Sequence, residues 1–278
     1  MYIYSYDLRR ITVRRRQASN RSAREKGGRR VRERIEQLTL NAWPALQQIL
    51  YDGWVIRMAD GYTKRANSVQ PLQAGSIPDL REKVGYCEDL YHAAGLPAIF
   101  KLTPFAAPAG LDRRLDDYGY AVQDLSVVKT RSLTAQALPE PELRDVRIES
   151  ELSAAWLAAA SSLLPLNERQ QATASRMFAP GCLRKGFFAL HWEGAPVACG
   201  IGVIEDGFVG LYDIVTDPKL RNRGIAEQLL LHVLKWGRDR GAIASYLQVV
   251  QDNAPAQRLY AKLGYEELYP YWYRVRWP

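Results

Sequence analysis

The stretch from Leu211 to Tyr265 does most to limit what this chain can fold into. Leu211, Tyr212, Ile214 and Val215 form an apolar, β-prone run. Thr216-Asp217-Pro218 ends it, because a proline cannot extend a hydrogen-bonded ladder. Arg221-Asn222-Arg223-Gly224-Ile225-Ala226 follows, and Ile225, Leu229, Leu230, Val233 and Leu234 then recur on one helical face up to about Gly241. Ala244 to Val250 reads as a second strand, Asn253 opens a second helix, and Gly264-Tyr265 closes it. Upstream, two helices at Glu151–Leu164 and Asn167–Met177 precede strands at Lys185–Trp192 and Val197–Ile204, turned at Glu193-Gly194 and Asp206-Gly207. Two helices, a meander, then strand, helix, strand, helix and strand predict an α+β (mixed α/β) sheet.

The turn carries its own chemistry. A helix N-terminus leaves backbone N–H groups unpaired at the positive end of the helix dipole, so an anion placed there is stabilised. Gly224 and Ala226 keep the loop narrow enough for close approach, and Arg221 and Arg223 add charge and forked donors. That is a diphosphate site in outline. Alone, Arg-x-x-Gly-x-Ala is better read as a basic helix cap; the linked block Asn253, Ala256, Leu259, Tyr260, Gly264 and Tyr265 favours the site.

On these residues the C-terminal half resembles the GNAT superfamily of N-acetyltransferases. Its acetyl-CoA loop reads Arg/Gln-x-x-Gly-x-Gly/Ala, and its next motif reads Asn-x-x-Ala-x-x-Leu-Tyr-x-x-x-Gly-Phe/Tyr. The match is specific over about residues 200–268 and looser upstream to about residue 146. The resemblance implies direct attack of an amine on the acetyl-CoA thioester in a ternary complex, with no acyl-enzyme and no metal. Ile214, Val215 and Thr216 would pair their backbone with the pantetheine arm. Arg221, Asn222, Arg223, Gly224, Ile225 and Ala226 would hold the pyrophosphate, Asn253 would contact the cofactor, and Tyr260 would protonate the departing thiolate.

The sequence departs from the family at the base. Many relatives carry Glu in a Leu-Glu-Val segment where this chain has Leu247-Gln248-Val249, and Gln248 cannot take a proton. Asp213 is the candidate base; a carboxylate that only orders the loop arginines fits it equally. Glu205 and Asp206, or water, are the remaining routes. A CoA-binding sensor without turnover is the competing function.

The N-terminal half echoes the same order of elements. Helices are expected at Arg32–Tyr51, Ser76–Ala94 and Leu111–Tyr118, and strands at Gly53–Met58, Arg65–Leu72, Pro97–Leu102 and Tyr120–Lys129. Ala107-Pro108-Ala109…Gly119-Tyr120 repeats Ala254-Pro255-Ala256…Gly264-Tyr265, with Leu115 where Tyr260 would fall and no glycine loop between Leu72 and Arg81. This half reads as a degenerate copy over 35–131 that does not bind cofactor. Its stretch Gly53-Trp54…Arg57…Asp60-Gly61-Tyr62-Thr63…Arg65-Ala66-Asn67-Ser68-Val69 resembles the leading half of some two-copy GNAT proteins, which implies packing on the active copy and a part in shaping the acceptor pocket, with plain sheet scaffold as the alternative. A linker over 132–145, bearing Pro139 and Pro141, leads to the catalytic copy over 146–278.

Residues 1–34 hold twelve Arg or Lys against three acids, which leaves residues 35–278 at −1 of the formal +8. Such an arm reads as a solvated, disordered tail, or as a salt-sensitive contact for nucleic acid or an acidic partner. No apolar run of about 18 residues predicts a membrane span. Three cysteines without motif spacing predict reduced thiols, no metal and a cytoplasmic protein.

Overall fold

The computed structural model describes residues 28–135, 137–164, 166–179 and 181–277. Residues 1–27 of the basic arm, Arg14-Arg15-Arg16 among them, lie outside the described residues. Of the two units into which the chain divides, Met1–Gln37 and Leu38–Pro278, the second holds the sheet.

Helix α1 covers residues 28–42, its first turns carrying an Arg29–Glu33 ion pair of 2.7 Å. The expected helix over Arg32–Tyr51 therefore ends early. Pro44 bars the helical conformation at Trp43, and Gln47–Tyr51 becomes strand β1 instead. Asp52 and Gly53, both at positive φ (43° and 84°), turn it into β2 (Trp54–Met58). The strand expected at Arg65–Leu72 is a 3₁₀ turn at Lys64–Ala66 followed by the short β3 (Val69–Pro71). The order then runs α2 (Leu80–Ala93), β4 (Ala98–Leu102), α3 (Leu111–Asp117), β5 (Ala121–Ser132), β6 (Val146–Glu149), α4 (Ala154–Leu163) and α5 (Glu168–Met177). Next come β7 (Arg184–Trp192), β8 (Ala195–Glu205), β9 (Phe208–Thr216), α6 (Ile225–Arg238), β10 (Ala244–Val250), α7 (Ala254–Lys262) and β11 (Glu266–Arg276). Asn167 starts α5 through a reciprocal capping box with Gln170.

All strands join one mixed sheet in the order β1-β2-β3-β4-β11-β5-β10-β9-β8-β7-β6. The two copies are legible in it. The pairs β3/β4 and β9/β10 are the parallel ones, each bridged by a helix. Helices α3 and α7 end alike: Gly119 and Gly264 sit at φ 82° and 79°, and the Tyr120 and Tyr265 N–H groups donate to Leu115 O (3.0 Å) and Tyr260 O (2.9 Å). Yet the strands after these helices change sides. β5 pairs with β10 from Ser126/Val250 to Ser132/Ala244, and β11 pairs with β4 from Leu102/Trp272 to Ala98/Arg276. Each copy's last strand completes the other copy's sheet, and the two exchanged strands pair with each other at the centre.

Two apolar cores flank the sheet. One gathers Trp54, Ile56, Phe100, Leu115 and Tyr120 under α2 and α3. The other gathers Phe188, Val209, Leu229, Val233, Leu247 and Val249 against α6, and it also buries Leu133 and Leu138 of the segment between β5 and β6. Glycines on β8 let α6 lie close: a Cβ at Gly202 would stand 2.8 Å from Val233 Cγ1 and 3.2 Å from the Trp236 ring. Gly202→Val is therefore expected to cost about 2–3 kcal/mol through overpacking, read as a fall of several degrees in Tm.

Candidate active site

β9 is built to diverge from β10. Their parallel pairing covers Phe208–Leu211 against Ala244–Leu247 and stops, although β9 runs on to Thr216 and β10 to Val250. The cause is a bulge: Asp213 adopts φ 46°, and Asp213 and Ile214 together oppose the single residue Gly200 between the pairs Ile201/Tyr212 and Cys199/Val215. Gly200 gives the bulge room, since a Cβ there would lie 2.6 Å from Ile214 Cδ1 and force that side chain to shift. The strand bends away, and the edge of residues 213–216 that faces β10 is left without a ladder partner.

The loop after β9 opens in the same direction. Asp217 caps the 3₁₀ turn Pro218–Leu220 by accepting from Lys219 N at 2.8 Å. Asn222 and Gly224 then take φ 63° and 76°, and α6 begins with no side-chain cap on its first N–H groups. Residues Ile214, Val215, Thr216, Arg221, Asn222, Gly224, Ile225, Ala226, Asn253 and Tyr260 line one cavity of about 550 Å³. Every residue expected to contact the cofactor is there except Arg223, which is exposed and is not part of the lining. Leu220, Pro255, Ala256 and Leu259 complete its apolar walls. Glu227, also in the lining, is neutralised by Lys262 at 2.6 Å.

The matching place in the N-terminal half is closed. There the side chain of Asp79 accepts from Arg81 N (2.8 Å) and Glu82 N (3.5 Å) at the start of α2. A carboxylate already sits where an anion would bind, and Leu115 replaces the tyrosine.

Tyr260 projects from α7 into the cavity with only 8% of its surface exposed, and its ring lies edge-on to Tyr265 at 5.8 Å. Among the described residues its hydroxyl has no hydrogen-bond partner. Burial pushes this phenol up to about 12, so it keeps its proton at neutral pH.

The opposite face of the splayed strands meets the N-terminal half. Asp213 stands 3.6 Å from Arg65, and each side chain retains about a quarter of its exposure (27% and 26%). Burial raises the Asp213 carboxyl above the ordinary carboxylate range, and the Arg65 guanidinium works against that rise. Arg65 lies 4.4 Å over the Trp43 ring and 6.0 Å over Tyr212, and Trp43 and Tyr212 stack at 5.6 Å. Sequence reading named Arg65 only within the stretch expected to pack on the C-terminal half and passed over Trp43, since their contacts on β9, Asp213 and Tyr212, lie 148 and 169 positions away. Gln248 shares this face of β10 with Tyr246, whose hydroxyl accepts from Tyr212 at 3.0 Å. The Gln248 amide nitrogen is buried without a partner among the described residues. Glu205 and Asp206 sit at the β8–β9 hairpin, about 16 Å of strand away from Asp213.

Other nucleophiles and ligands play structural parts. Burial pushes the Cys87 and Cys199 thiols up to about 12. His232 meets Leu143 O at 2.7 Å and His191 meets Ala189 O at 3.1 Å. Among the described residues no group of three His, Cys, Asp or Glu could hold a metal, and no helix is long and apolar enough to cross a membrane.

Comparison with known proteins agrees with this geometry. The family described as probable histone acetyltransferase Rv0428c C-terminal matches residues 30–274. The chain is 29% identical over 248 residues to the uncharacterized N-acetyltransferase YobR of Bacillus subtilis, covering 87% of this chain and 98% of that one. Among solved structures, a GCN5-related N-acetyltransferase from Kribbella flavida superposes with a TM-score of 0.64 at 19% identity, over 83% of this chain and 89% of that one. A tandem GNAT protein from the clavulanic acid biosynthesis pathway superposes with a TM-score of 0.56 at 13% identity, over 70% and 69% of the two chains.

Proposed function

This chain belongs to the GNAT family and is an N-acetyltransferase, and on that footing we propose that its C-terminal half moves the acetyl group of acetyl-CoA directly to a primary amine in a ternary complex. One observation carries the reading. The unpaired edge of β9, the uncapped start of α6 and the unpartnered Tyr260 hydroxyl converge on a single cavity. The open backbone edge at 214–216 suits an amide-bearing pantetheine arm, and the N–H groups of 225–227 with Arg221 suit a pyrophosphate.

The chemistry needs little more. The acceptor nitrogen attacks the thioester carbonyl carbon, the carbon–sulfur bond breaks, and the leaving thiolate takes the Tyr260 proton. The proton lost by the acceptor nitrogen passes to Asp213. Asp213 is preferred to Glu205 and Asp206 because it directly precedes Ile214, which lines the cavity, whereas they lie at the far end of the strand. The N-terminal half binds no second cofactor, since Asp79 fills the start of α2. Three thiols outside any disulfide suit a reducing cytoplasm.

Calorimetry with acetyl-CoA on the intact chain tests the binding half of this proposal. One saturable site is expected, weakened about tenfold or more in Arg221→Ala and little changed in Arg223→Ala. Two equal sites, or no effect of Arg221→Ala, would overturn the loop assignment.

A further inference from the structure

The N-terminal half reaches the reacting centre through one short segment. Its shape is fixed from inside: Asn67 Oδ1 accepts from Ala59 N (2.7 Å) and Gly61 N (3.0 Å), and Asn67 Nδ2 donates to Thr63 O (2.8 Å). Two more bonds pin the segment to its surroundings. Trp43 Nε1 donates to Thr63 Oγ1 at 2.9 Å, and buried Arg57 donates to Arg65 O at 2.8 Å. A 3₁₀ turn held this firmly delivers the Arg65 side chain in one direction, across to β9. There its guanidinium lies over Trp43 and beside Asp213 at the bulge.

We propose that Arg65 is a positioning residue for acetyl transfer, supplied by the half that has no cofactor site of its own, which orients the Asp213 carboxylate and holds its charge at the bulge, one residue before Ile214 of the cavity wall. The proposal rests on the reading of Asp213 as base. The geometry gives Arg65 both parts of the task. Its charge favours the carboxylate, and its planar guanidinium, stacked on Trp43, keeps that charge from following Asp213 into solvent. A lysine keeps the charge and loses the stacking. The other titratable side chains around the pair are Tyr62 of the same loop, Tyr212 and Tyr246 of β9 and β10, and Tyr271 and Tyr273 of β11. Lys64 and Lys101 lie over the Tyr273 and Tyr271 rings at 6.0 and 4.5 Å, and Arg65 is the cation paired with Asp213 itself.

The arrangement also explains why a degenerate copy stays attached. Residues 214–216 and α6 hold what resembles cofactor chemistry, but nothing on their own elements balances the charge of a carboxylate buried at the bulge. The counter-charge comes from the other half.

The deciding experiment follows Asp213 directly, by carbon NMR of aspartate carboxyls labelled with ¹³C in the intact chain, with Asp213→Asn to assign the signal. In Arg65→Met its titration midpoint is expected to rise by about one pH unit, and Arg65→Lys should recover part of that rise. Arg65 lies outside the cofactor cavity, so acetyl-CoA affinity should stay within about twofold in both variants, which separates this effect from a general loss of structure. A midpoint unchanged in Arg65→Met would overturn the proposal. With an amine acceptor in hand, the acidic limb of kcat/KM should move by the same amount and vanish in Asp213→Asn. A limb that stays fixed while the carboxyl midpoint moves would likewise overturn it. If the native chain transfers acetyl to no amine, the proposed function fails while the titration still decides whether Arg65 governs Asp213.

Discussion

Tyr260→Phe should bind acetyl-CoA as the native chain does and turn it over at least about 10²-fold more slowly. The change removes one oxygen and leaves the ring in place, so the edge-on contact with Tyr265 and the wall of the cavity persist. What disappears is the proton donor facing the leaving sulfur. A positioned general acid is worth roughly 10²–10⁴ in rate, and a thiolate forced to leave unprotonated forgoes that factor. The loss should fall on kcat with little change in the acetyl-CoA dissociation constant, because the hydroxyl meets the sulfur chiefly as charge develops there. Since burial pushes the Tyr260 phenol up to about 12, no basic limb from this group should appear near neutral pH. Steady-state kinetics paired with calorimetry would settle it. Equal kcat for the two proteins would remove Tyr260 from the mechanism.

The second large effect concerns folding. A chain of residues 146–278 carries the whole cofactor cavity and should still fail to fold. β11 has β4 on one side and β5 on the other, so this fragment deprives it of both neighbours, and it strips β10 of β5 along all seven of its residues. Leu133 and Leu138 leave the C-terminal core as well. Two long strand edges and an opened core are more than a domain with about 5–15 kcal/mol of stability withstands. A chain beginning at Gly119 restores β5 to both β10 and β11 and leaves only the β4 side of β11 open. Circular dichroism with thermal melting should show no cooperative transition for the first fragment and a weak one for the second. A sharp melt for residues 146–278 would mean that the exchanged strands add little.

The contrast between these predictions mirrors what could be read from residues alone. The cavity is local: β9, the loop, α6 and α7 are consecutive, each ends on a residue with its own conformational signature, and motif spacing therefore places Arg221, Gly224, Asn253 and Tyr260 together. Helix α5 announced itself through Asn167, and the turns at Glu193-Gly194 and Asp206-Gly207 through their glycines. The helix expected through Tyr51 overran Pro44, the residue that ends it in the chain. Strand β6 passed unnoticed because four residues at a sheet edge carry too little alternation to stand out. The strand exchange and the Arg65–Asp213 pair left no sequence signal, because both are products of long-range pairing, and a two-residue period is blind to which neighbour a strand chooses. Arg223 shows the opposite limit: its charge in the loop suggested a role, yet it is exposed and not part of the cavity lining.

The order of synthesis gives the exchanged strands one more consequence. β4 is complete at Leu102, but its partner begins at Glu266, more than 160 residues later. On the ribosome β4 must therefore carry an unsatisfied edge while all of those residues are made, and the N-terminal half cannot complete its sheet until β11 emerges.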